Sequence, residues 1–175
     1  VTARRACPTL LLVLAPRHPA RADAVHAEAA QHGFSCIRRT ELEHSQEITT
    51  SDVLLVDTIG ELLFCYGIAN VAFVGGSLAR VGGHNPIEAI QKNCIVLHGE
   101  NIQNFSDIYE SLDKLKCSFL TKDADSIMQK IEDYIGQPNK TQDTLKNINT
   151  IISKKKVLVE NEILDILNLE LGKIQ

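Results

Sequence analysis

Several features that mark common classes of protein are missing from this sequence of 175 residues. It has no tryptophan, aromatic residues make up only 5%, and the formal net charge is −4. A nucleic-acid-binding surface needs clustered Lys and Arg or a row of aromatic side chains on which bases stack, so we expect no nucleic acid as a partner. No apolar run approaches the roughly 20 residues that a membrane-spanning helix needs.

The five cysteines do not form a recognisable metal or disulfide framework. None belongs to a C-x-x-C pair, their number is odd, and no secretory signal stands before them in the sequence. We therefore expect reduced and mostly buried thiols in a cytosolic protein.

Short, β-rich apolar runs alternate with segments that carry helix signals along the whole chain. Six such runs are predicted as strands: residues 10–14, 35–37, 53–56, 71–74, 94–97 and 117–120. Each run is continuous rather than alternating, as in parallel strands that helices cover on both faces. The pattern predicts an α/β fold with one open, doubly wound, six-stranded Rossmann-like sheet. We expect residues 1–138 to form this domain and residues 139–175 to form one or two amphipathic helices packed on its outside.

Local signals predict where several helices begin and end. Pro19 precedes a helix over residues 20–31, with Gly33 just after its end. Asp57 or Thr58 is the expected cap of a helix over residues 60–66. Further helices are predicted over residues 87–91, 106–115 and 125–134.

Loops that follow the strands are the candidate ligand-binding segments, because such sheets bind ligands beyond the carboxyl ends of their strands. Pro16 and Arg17 follow the first strand, and an Arg guanidinium suits phosphate or carboxylate. Ile59, Gly60 and Glu61 follow the third strand, where Gly60 would allow a ligand to approach the backbone. A stiff turn in the first loop and a plain helix start in the second are the alternative interpretations.

Two double-glycine segments follow the fourth strand within nine residues. The first, Gly75-Gly76-Ser77, leaves a buried strand and has the spacing of neither a dinucleotide fingerprint nor a Walker A loop. The second, Gly82-Gly83-His84, leads into a helix with Asn85 as the cap and Pro86 as the first residue. This construction predicts an anion site, with Glu88 either reaching back to the cap or accepting ribose hydroxyls.

Taken in order, these loops resemble one particular family. The motifs are Ala-Pro-Arg-His-Pro from Ala15, Asp-Thr-x-Gly-Glu-Leu from Asp57, Phe-Val-Gly-Gly-Ser-Leu from Phe73 and Gly-Gly-His-Asn-Pro-x-Glu from Gly82. They are similar to those of the 3-deoxy-D-manno-octulosonic acid (Kdo) transferases, over roughly residues 10–135. Such enzymes add Kdo to a lipid A precursor in lipopolysaccharide synthesis and have two Rossmann-like domains (the GT-B arrangement). The chain resembles the C-terminal, donor-binding domain.

The resemblance implies the donor and the residues that bind it. The donor is CMP-Kdo, and the residues expected to contact CMP are Pro16, Arg17, Ile59, Gly60, Glu61, Asn85, Pro86, Ile87 and Glu88. The residues expected to shape the pocket around sugar and phosphate are Gly75, Gly76, Ser77, Gly82, Gly83 and His84. Our hypothesis for individual roles is that Arg17 and the Asn85 helix end neutralise phosphate, while Glu61 or Glu88 binds ribose.

The resemblance also implies what this chain would lack. The catalytic base of the family is a glutamate of the N-terminal domain, so we expect no catalytic residue here and no turnover by this chain alone. It further implies inversion at the anomeric carbon, no metal or other cofactor, and a lipid A precursor that is bound by the other domain. Full-length protein is expected on the cytoplasmic face of the bacterial inner membrane, attached through its N-terminal part.

Two other functions remain open at the level of sequence. One is the donor domain of another GT-B enzyme that uses a UDP-sugar. The second, from a different class, is a non-catalytic nucleotide-binding module made from a degenerate transferase domain.

Overall fold

The computed structural model describes residues 10–44, 50–137, 139 and 141–154. Its six strands are β1 (Leu12–Leu14), β2 (Cys36–Arg38), β3 (Val53–Leu55), β4 (Val71–Phe73), β5 (Ile95–His98) and β6 (Ser118–Leu120). Every ladder between them is parallel, which confirms the predicted α/β class. The strands are hydrogen-bonded as two three-stranded sheets, where the sequence predicted a single sheet of six. Hydrophobic runs indicate that strands exist, whereas pairing depends on contacts that periodicity does not encode.

The chain divides into two compact units, residues 1–69 and 70–175. The sheet of the first unit has the order β1-β3-β2. Its central strand β3 is buried at all three positions. Beside it, the side chains of Ile37, Val56 and Cys65 pack into one apolar cluster that Val13 flanks. The centre of the sheet is thus fixed by the continuous apolar runs that predicted it.

Helix α1 (Ala22–Gln31) connects β1 and β2 and follows a short 3-10 turn at Pro19–Arg21. Gly33 has a φ of +78° after its end. The N–H of Gly33 donates to Ala30 O, and the N–H of Phe34 donates to Ala29 O. These two bonds form a Schellman motif, which confirms the predicted helix end.

Helix α2 (Leu62–Ile68) begins two residues later than predicted and has no side-chain cap. The predicted caps are wrong. The Asp57 carboxylate accepts hydrogen bonds from the backbone N–H and the hydroxyl of Thr40. The Thr58 hydroxyl donates to the Glu61 carboxylate. A tertiary partner from another loop therefore takes the Asp57 carboxylate, and a local side-chain bond takes the Thr58 hydroxyl.

The second unit is built on a sheet of order β4-β5-β6. All four residues of the central strand β5 are buried. The helices are α3 (Ile87–Gln91), α4 (Ser106–Lys114) and α5 (Ala124–Gly136), close to their predicted bounds. Helix α5 starts with a capping box in which Asp123 and Ser126 bond to each other's backbone N–H.

Residues 141–154 are helical, and one face of this segment is buried. Thr144 and Ile148 are 5% and 0% exposed, four residues apart, as on one side of a helix. The Thr141 hydroxyl donates to the carbonyl of Tyr134. Residues 155–175 lie outside the described part, so the predicted boundary at residue 138 stays a prediction. No helix within the described residues has both the length and the apolar character needed to cross a membrane.

Candidate functional site

The loops after β1 and β3 leave the same edge of the first sheet, because these neighbouring strands run parallel. Leu14 pairs with Leu55, and the Val56 N–H donates to Leu14 O at 2.8 Å. Pro16 is half-buried and Arg17 is exposed just beyond β1. The first two predicted binding segments are therefore neighbours in space, as the rule for carboxyl ends of strands required.

Glu61 is held by two partners in this region. Nε and Nη2 of Arg39 both lie 3.0 Å from Glu61 Oε1, and the Thr58 hydroxyl donates to Oε2. About a third of each ionic side chain is exposed, 33% for Arg39 and 30% for Glu61. Both carboxylate oxygens of Glu61 are thus engaged by protein, which limits what it can offer to ribose.

An open depression of about 360 Å³ lies beside this ion pair and is lined by Arg39, Thr40, Thr58, Ile59 and Glu61. The Ile59 side chain is 86% exposed, which is unusual for a large apolar group. Gly60 has a φ of +89°, a left-handed conformation that strains any residue with a Cβ. The depression thus combines one apolar side chain with a guanidinium, a carboxylate and two hydroxyls.

In the second unit, the two double-glycine segments lie against each other. The N–H of Gly83 donates to Gly76 O at 3.0 Å. Gly76 has a φ of +74°, and a Cβ there would lie 3.0 Å from Nε2 of His84, so the imidazole covers this glycine. Gly82 has a φ of +96°, and a Cβ there would lie 2.5 Å from the Asn104 side chain. At both positions the left-handed backbone favours glycine, and a Cβ would in addition crowd a neighbouring side chain.

Ser77 joins these segments to the loop after β5. It is 0% exposed, its hydroxyl donates to Val74 O at 2.8 Å, and the N–H of Gly99 donates to the same hydroxyl at 2.9 Å. Asn101 donates to Ser77 O through its backbone N–H and through its side chain. Ser77 therefore holds the pocket-shaping loop to the sheet instead of presenting a free hydroxyl.

Asn104 and Tyr109 hold the second double-glycine segment. The Asn104 N–H donates to Gly82 O at 2.9 Å, and its side-chain amide lies 3.3 Å from Val81 O. The Tyr109 hydroxyl donates to the carbonyl of His84 at 2.9 Å. These bonds fix the backbone immediately before the predicted nucleotide-binding helix end.

Asn85 lies one residue before the N-cap of α3, which is Pro86, so the predicted assignment of Asn85 as the cap and Pro86 as the first helical residue is wrong by one position. The Asn85 side-chain oxygen accepts a hydrogen bond from the N–H of Ile87 at 3.0 Å, and Pro86 O accepts the first helical bond from Ile90. Glu88 is exposed, and within the described residues its carboxylate makes no hydrogen bond or ion pair. The capping-box alternative for Glu88 is therefore wrong, and its carboxylate is available to a ligand.

Behind the loop lies a buried polar cluster. His98 is 1% exposed, and its ring stacks on Tyr109 with centroids 4.4 Å apart. Its Nδ1 lies 2.9 Å from Gly99 O and its Nε2 lies 3.1 Å from Asp113 Oδ1. Burial acts to raise the pKa of Asp113, but hydrogen bonds from His98 and Ser118 outweigh it and hold that pKa below its usual value. The cluster supports Tyr109, which in turn holds His84.

The described residues contain no group of three His, Cys, Asp or Glu side chains that could hold a metal ion. Asp123 and Asp125 do stand in Asp-x-Asp spacing. The carboxylate of Asp123 accepts a hydrogen bond from the Ser126 N–H at 2.8 Å, so its position is explained by helix capping. The four described cysteines are free, and three of them are buried, as expected.

Sequence reasoning missed Arg39, Asn101 and Asn104. Arg39 follows β2 directly, and both asparagines follow β5. Each loop lies beside a predicted binding loop, because β2 neighbours β3 and β5 neighbours β4. The signal that could have found them is the rule already applied to the other strands, since carboxyl ends of neighbouring parallel strands share an edge.

Comparison with known proteins relates this chain to one group of enzymes. It is 44% identical over 105 residues to the 3-deoxy-D-manno-octulosonic acid transferase of Haemophilus influenzae, covering 60% of this chain and 24% of that protein. It is 30% identical over 128 residues to the enzyme of the same name from Aquifex aeolicus, covering 73% and 34%. The chain thus spans about a quarter to a third of these relatives. No protein-family model matches it.

The structural comparison agrees with the sequence comparison. The C-terminal CMP-Kdo binding domain of WaaA from Acinetobacter baumannii superposes with a TM-score of 0.79 at 26% identity, over 86% of this chain and 78% of that one. In sequence, this chain is similar to part of the 3-deoxy-D-manno-octulosonic acid transferases, and in fold it is similar to the C-terminal CMP-Kdo binding domain of one solved protein.

Proposed function

We propose that this chain is the donor-binding part of a Kdo transferase and that its ligand is CMP-Kdo. The observation that carries the proposal is the likeness, at a TM-score of 0.79, to a domain described as CMP-Kdo binding. The site adds support from a second direction. Loops that follow the parallel strands carry polar side chains, an exposed Ile59 and left-handed glycines, features that suit a nucleotide-binding site.

In the first unit, Arg17 is proposed to bind the phosphate, with Pro16 holding the loop rigid. Ile59 offers an apolar surface for the base, and Gly60 allows the ligand to approach the backbone. Glu61 is bound on both oxygens by protein. Its proposed role is therefore to order this depression rather than to serve as the main acceptor for ribose hydroxyls.

In the second unit, Glu88 is the better candidate for ribose. It is exposed and makes no bond to the described part of the chain, so its oxygens are free to accept two hydroxyl hydrogens. Asn85 has its side-chain oxygen committed to Ile87, which leaves its amide group for a ligand. Pro86 and Ile87 complete the segment that the family resemblance assigns to CMP.

The chemistry proposed for this half is stabilisation of the leaving group. CMP departs with added negative charge on its phosphate, and donors fixed in place before the reaction stabilise that charge without reorganising. The acceptor hydroxyl must lose a proton to a base, and the family resemblance places this base on another domain. We accordingly propose that the chain binds donor without turning it over, and that inversion at the anomeric carbon takes place without a metal.

The acceptor and the cellular location are the less direct parts of the proposal. Transfer to a lipid A precursor in lipopolysaccharide synthesis, on the cytoplasmic face of the inner membrane, follows from the family resemblance alone. Membrane attachment and acceptor binding would be functions of the remainder of a full-length enzyme.

The proposal is tested by isothermal titration calorimetry of the 175-residue chain with CMP and with UDP. We expect CMP to bind more tightly than UDP. Arg17→Ala and Glu88→Ala should each weaken CMP binding by about 1.5–3 kcal/mol if each removes a hydrogen bond in which one partner is charged. Arg21→Ala and Glu100→Ala, which change exposed residues of the same types, should leave it unchanged.

Each contrary result favours a different function. Tighter binding of UDP would refute the Kdo assignment and favour a UDP-sugar enzyme. CMP affinity that is insensitive to both Arg17→Ala and Glu88→Ala would favour a non-catalytic module that binds nucleotide elsewhere.

A further inference from the structure

The backbone of residues 75–85, called here the glycine loop, has nearly all of its carbonyl groups committed to the protein. Hydrogen bonds are accepted by the carbonyl oxygens of Gly76, Ser77, Leu78, Val81, Gly82, Gly83 and His84. Most of the donors come from the loop after β5 and from α4: Asn101 serves Ser77 and Leu78, and Asn104 serves the three carbonyls from Val81 to Gly83.

Several backbone N–H groups of the same loop, unlike its carbonyl groups, have no hydrogen-bond partner in the described part of the protein. Those of Gly75, Gly76, Ser77 and Gly82 donate to no acceptor within the described residues. Gly75 and Gly76 are partly exposed, so a ligand can reach their N–H groups, whereas Ser77 is 0% exposed and its N–H cannot meet a ligand. The glycine loop is therefore left with unused donors and few unused acceptors.

A surface that offers backbone donors alone suits an anion, since each N–H is a partial positive charge fixed in place. This excess of unused backbone donors over unused acceptors does not involve Lys or Arg side chains. It comes from the way the two asparagines bond to the loop. Each uses both its backbone N–H and its side-chain amide on glycine-loop carbonyls, which holds those carbonyls away from the ligand.

We propose that Asn101 and Asn104 are positioning residues of the donor site, which orient the glycine loop so that its N–H groups receive an anionic group of the ligand. The inference rests on the proposed function, and it adds N–H groups of the glycine loop to Arg17 as proposed partners of the CMP phosphate. Neither asparagine needs to touch the ligand. The Asn104 amide also fills the space beside Gly82, where a Cβ would lie 2.5 Å from it.

A positioning role for Asn101 and Asn104 predicts a different result from one in which they only stabilise the fold. If the asparagines align donors for the phosphate, their removal weakens CMP binding and leaves the binding of cytidine, which has the same base and ribose, as it was. If they only stabilise the fold, affinity for both ligands falls together. The ratio of CMP to cytidine affinity is therefore the informative quantity.

The experiment compares Asn101→Ala and Asn104→Ala with wild type in the 175-residue chain, titrated with CMP and with cytidine. Gln103→Ala is the matched control, because Gln103 is an exposed amide side chain of the same segment that makes no side-chain hydrogen bond within the described residues. Circular dichroism checks that each variant is folded, and Asn104 is itself exposed, so its removal leaves no cavity in the core.

We expect each asparagine variant to lower the affinity for CMP about tenfold, the loss of roughly one hydrogen bond to a charged group, with cytidine and the control unchanged. An equal loss for CMP and cytidine, or no loss for either, would overturn the inference and leave the proposed function standing. A wild-type chain that binds neither ligand would overturn the proposed function and this inference with it.

Discussion

Replacing Ser77 by alanine tests how the glycine loop is attached to the sheet. The Ser77 hydroxyl is completely buried and makes two hydrogen bonds, donating to Val74 O at 2.8 Å and accepting from the Gly99 N–H at 2.9 Å. Alanine removes one oxygen atom and adds nothing. The Gly99 N–H then stays buried without an acceptor, because Gly99 is itself a buried residue.

The size of the effect is estimated from the orphaned Gly99 N–H, while the Val74 carbonyl also loses the Ser77 hydroxyl as a donor. A buried donor without a partner costs about 1–3 kcal/mol, whereas the net value of an ordinary hydrogen bond is about 1 kcal/mol. We therefore expect Ser77→Ala to lower the free energy of unfolding of the second unit by about 2 kcal/mol, roughly a 30-fold change in its folding equilibrium. The Asn101 bonds to Ser77 O involve the backbone carbonyl, so the substitution does not remove them directly.

Amide hydrogen exchange measured by NMR is the appropriate assay, since it reports on the second unit residue by residue. Exchange at the Gly99 amide and along β5 should accelerate in Ser77→Ala. Ser111→Ala is the control, because the Ser111 hydroxyl bonds only to Asp107 O on an exposed helix surface. The free energy of exchange of the β5 amides is compared between Ser77→Ala and Ser111→Ala. A difference of less than about 0.5 kcal/mol would refute the expected cost of leaving the Gly99 N–H without an acceptor.

Three further results are expected. Arg39→Gln should release Oε1 of Glu61 and weaken CMP binding in calorimetry. Arg38→Gln, which breaks a different ion pair at the preceding residue, should not, and equal effects would contradict the role given to Arg39. Because the pKa of Asp113 is lowered, its contribution to stability is present above the unfolded value of 3.8 and is lost as the pH falls through the folded pKa. The difference in urea stability between wild type and Asp113→Asn should therefore shrink on acidification, and a constant difference would refute it. Burial raises the pKa of Cys94 to about 12, so a thiol reagent at pH 8 should modify this cysteine only after unfolding; rapid labelling of the native chain would be contrary evidence.

The sequence predicted the strands well because each is a continuous apolar run, and a run of that kind reflects burial on both faces. β3 and β5 are buried along their whole length and are the clearest cases. Pairing could not be predicted in the same way. Which strands share a ladder depends on hydrogen bonds between segments far apart in the chain, and an apolar run has no preference among parallel neighbours.

Polar side chains were harder to assign than backbone elements. The start of α3 was predicted to within one residue because the Asn-Pro pair is a local pattern, although Pro86 and not Asn85 is the N-cap. Asp57 was misassigned because Thr40, distant in sequence, took its carboxylate. Arg39 and Asn104 lie in surface loops with no local periodicity. Their contacts depend on which strands are neighbours in the sheet, and this order is known only from the structure.

The absence of tryptophan has a practical consequence when combined with the position of Tyr109. This residue is completely buried, it stacks on His98, and its hydroxyl bonds to the carbonyl of His84 at the end of the glycine loop. With no indole in the chain, tyrosine emission is not obscured. Tyr109 is one of three tyrosines in the chain, so a change in tyrosine emission on ligand binding that is lost in Tyr109→Phe would report occupancy of the proposed site without any added label.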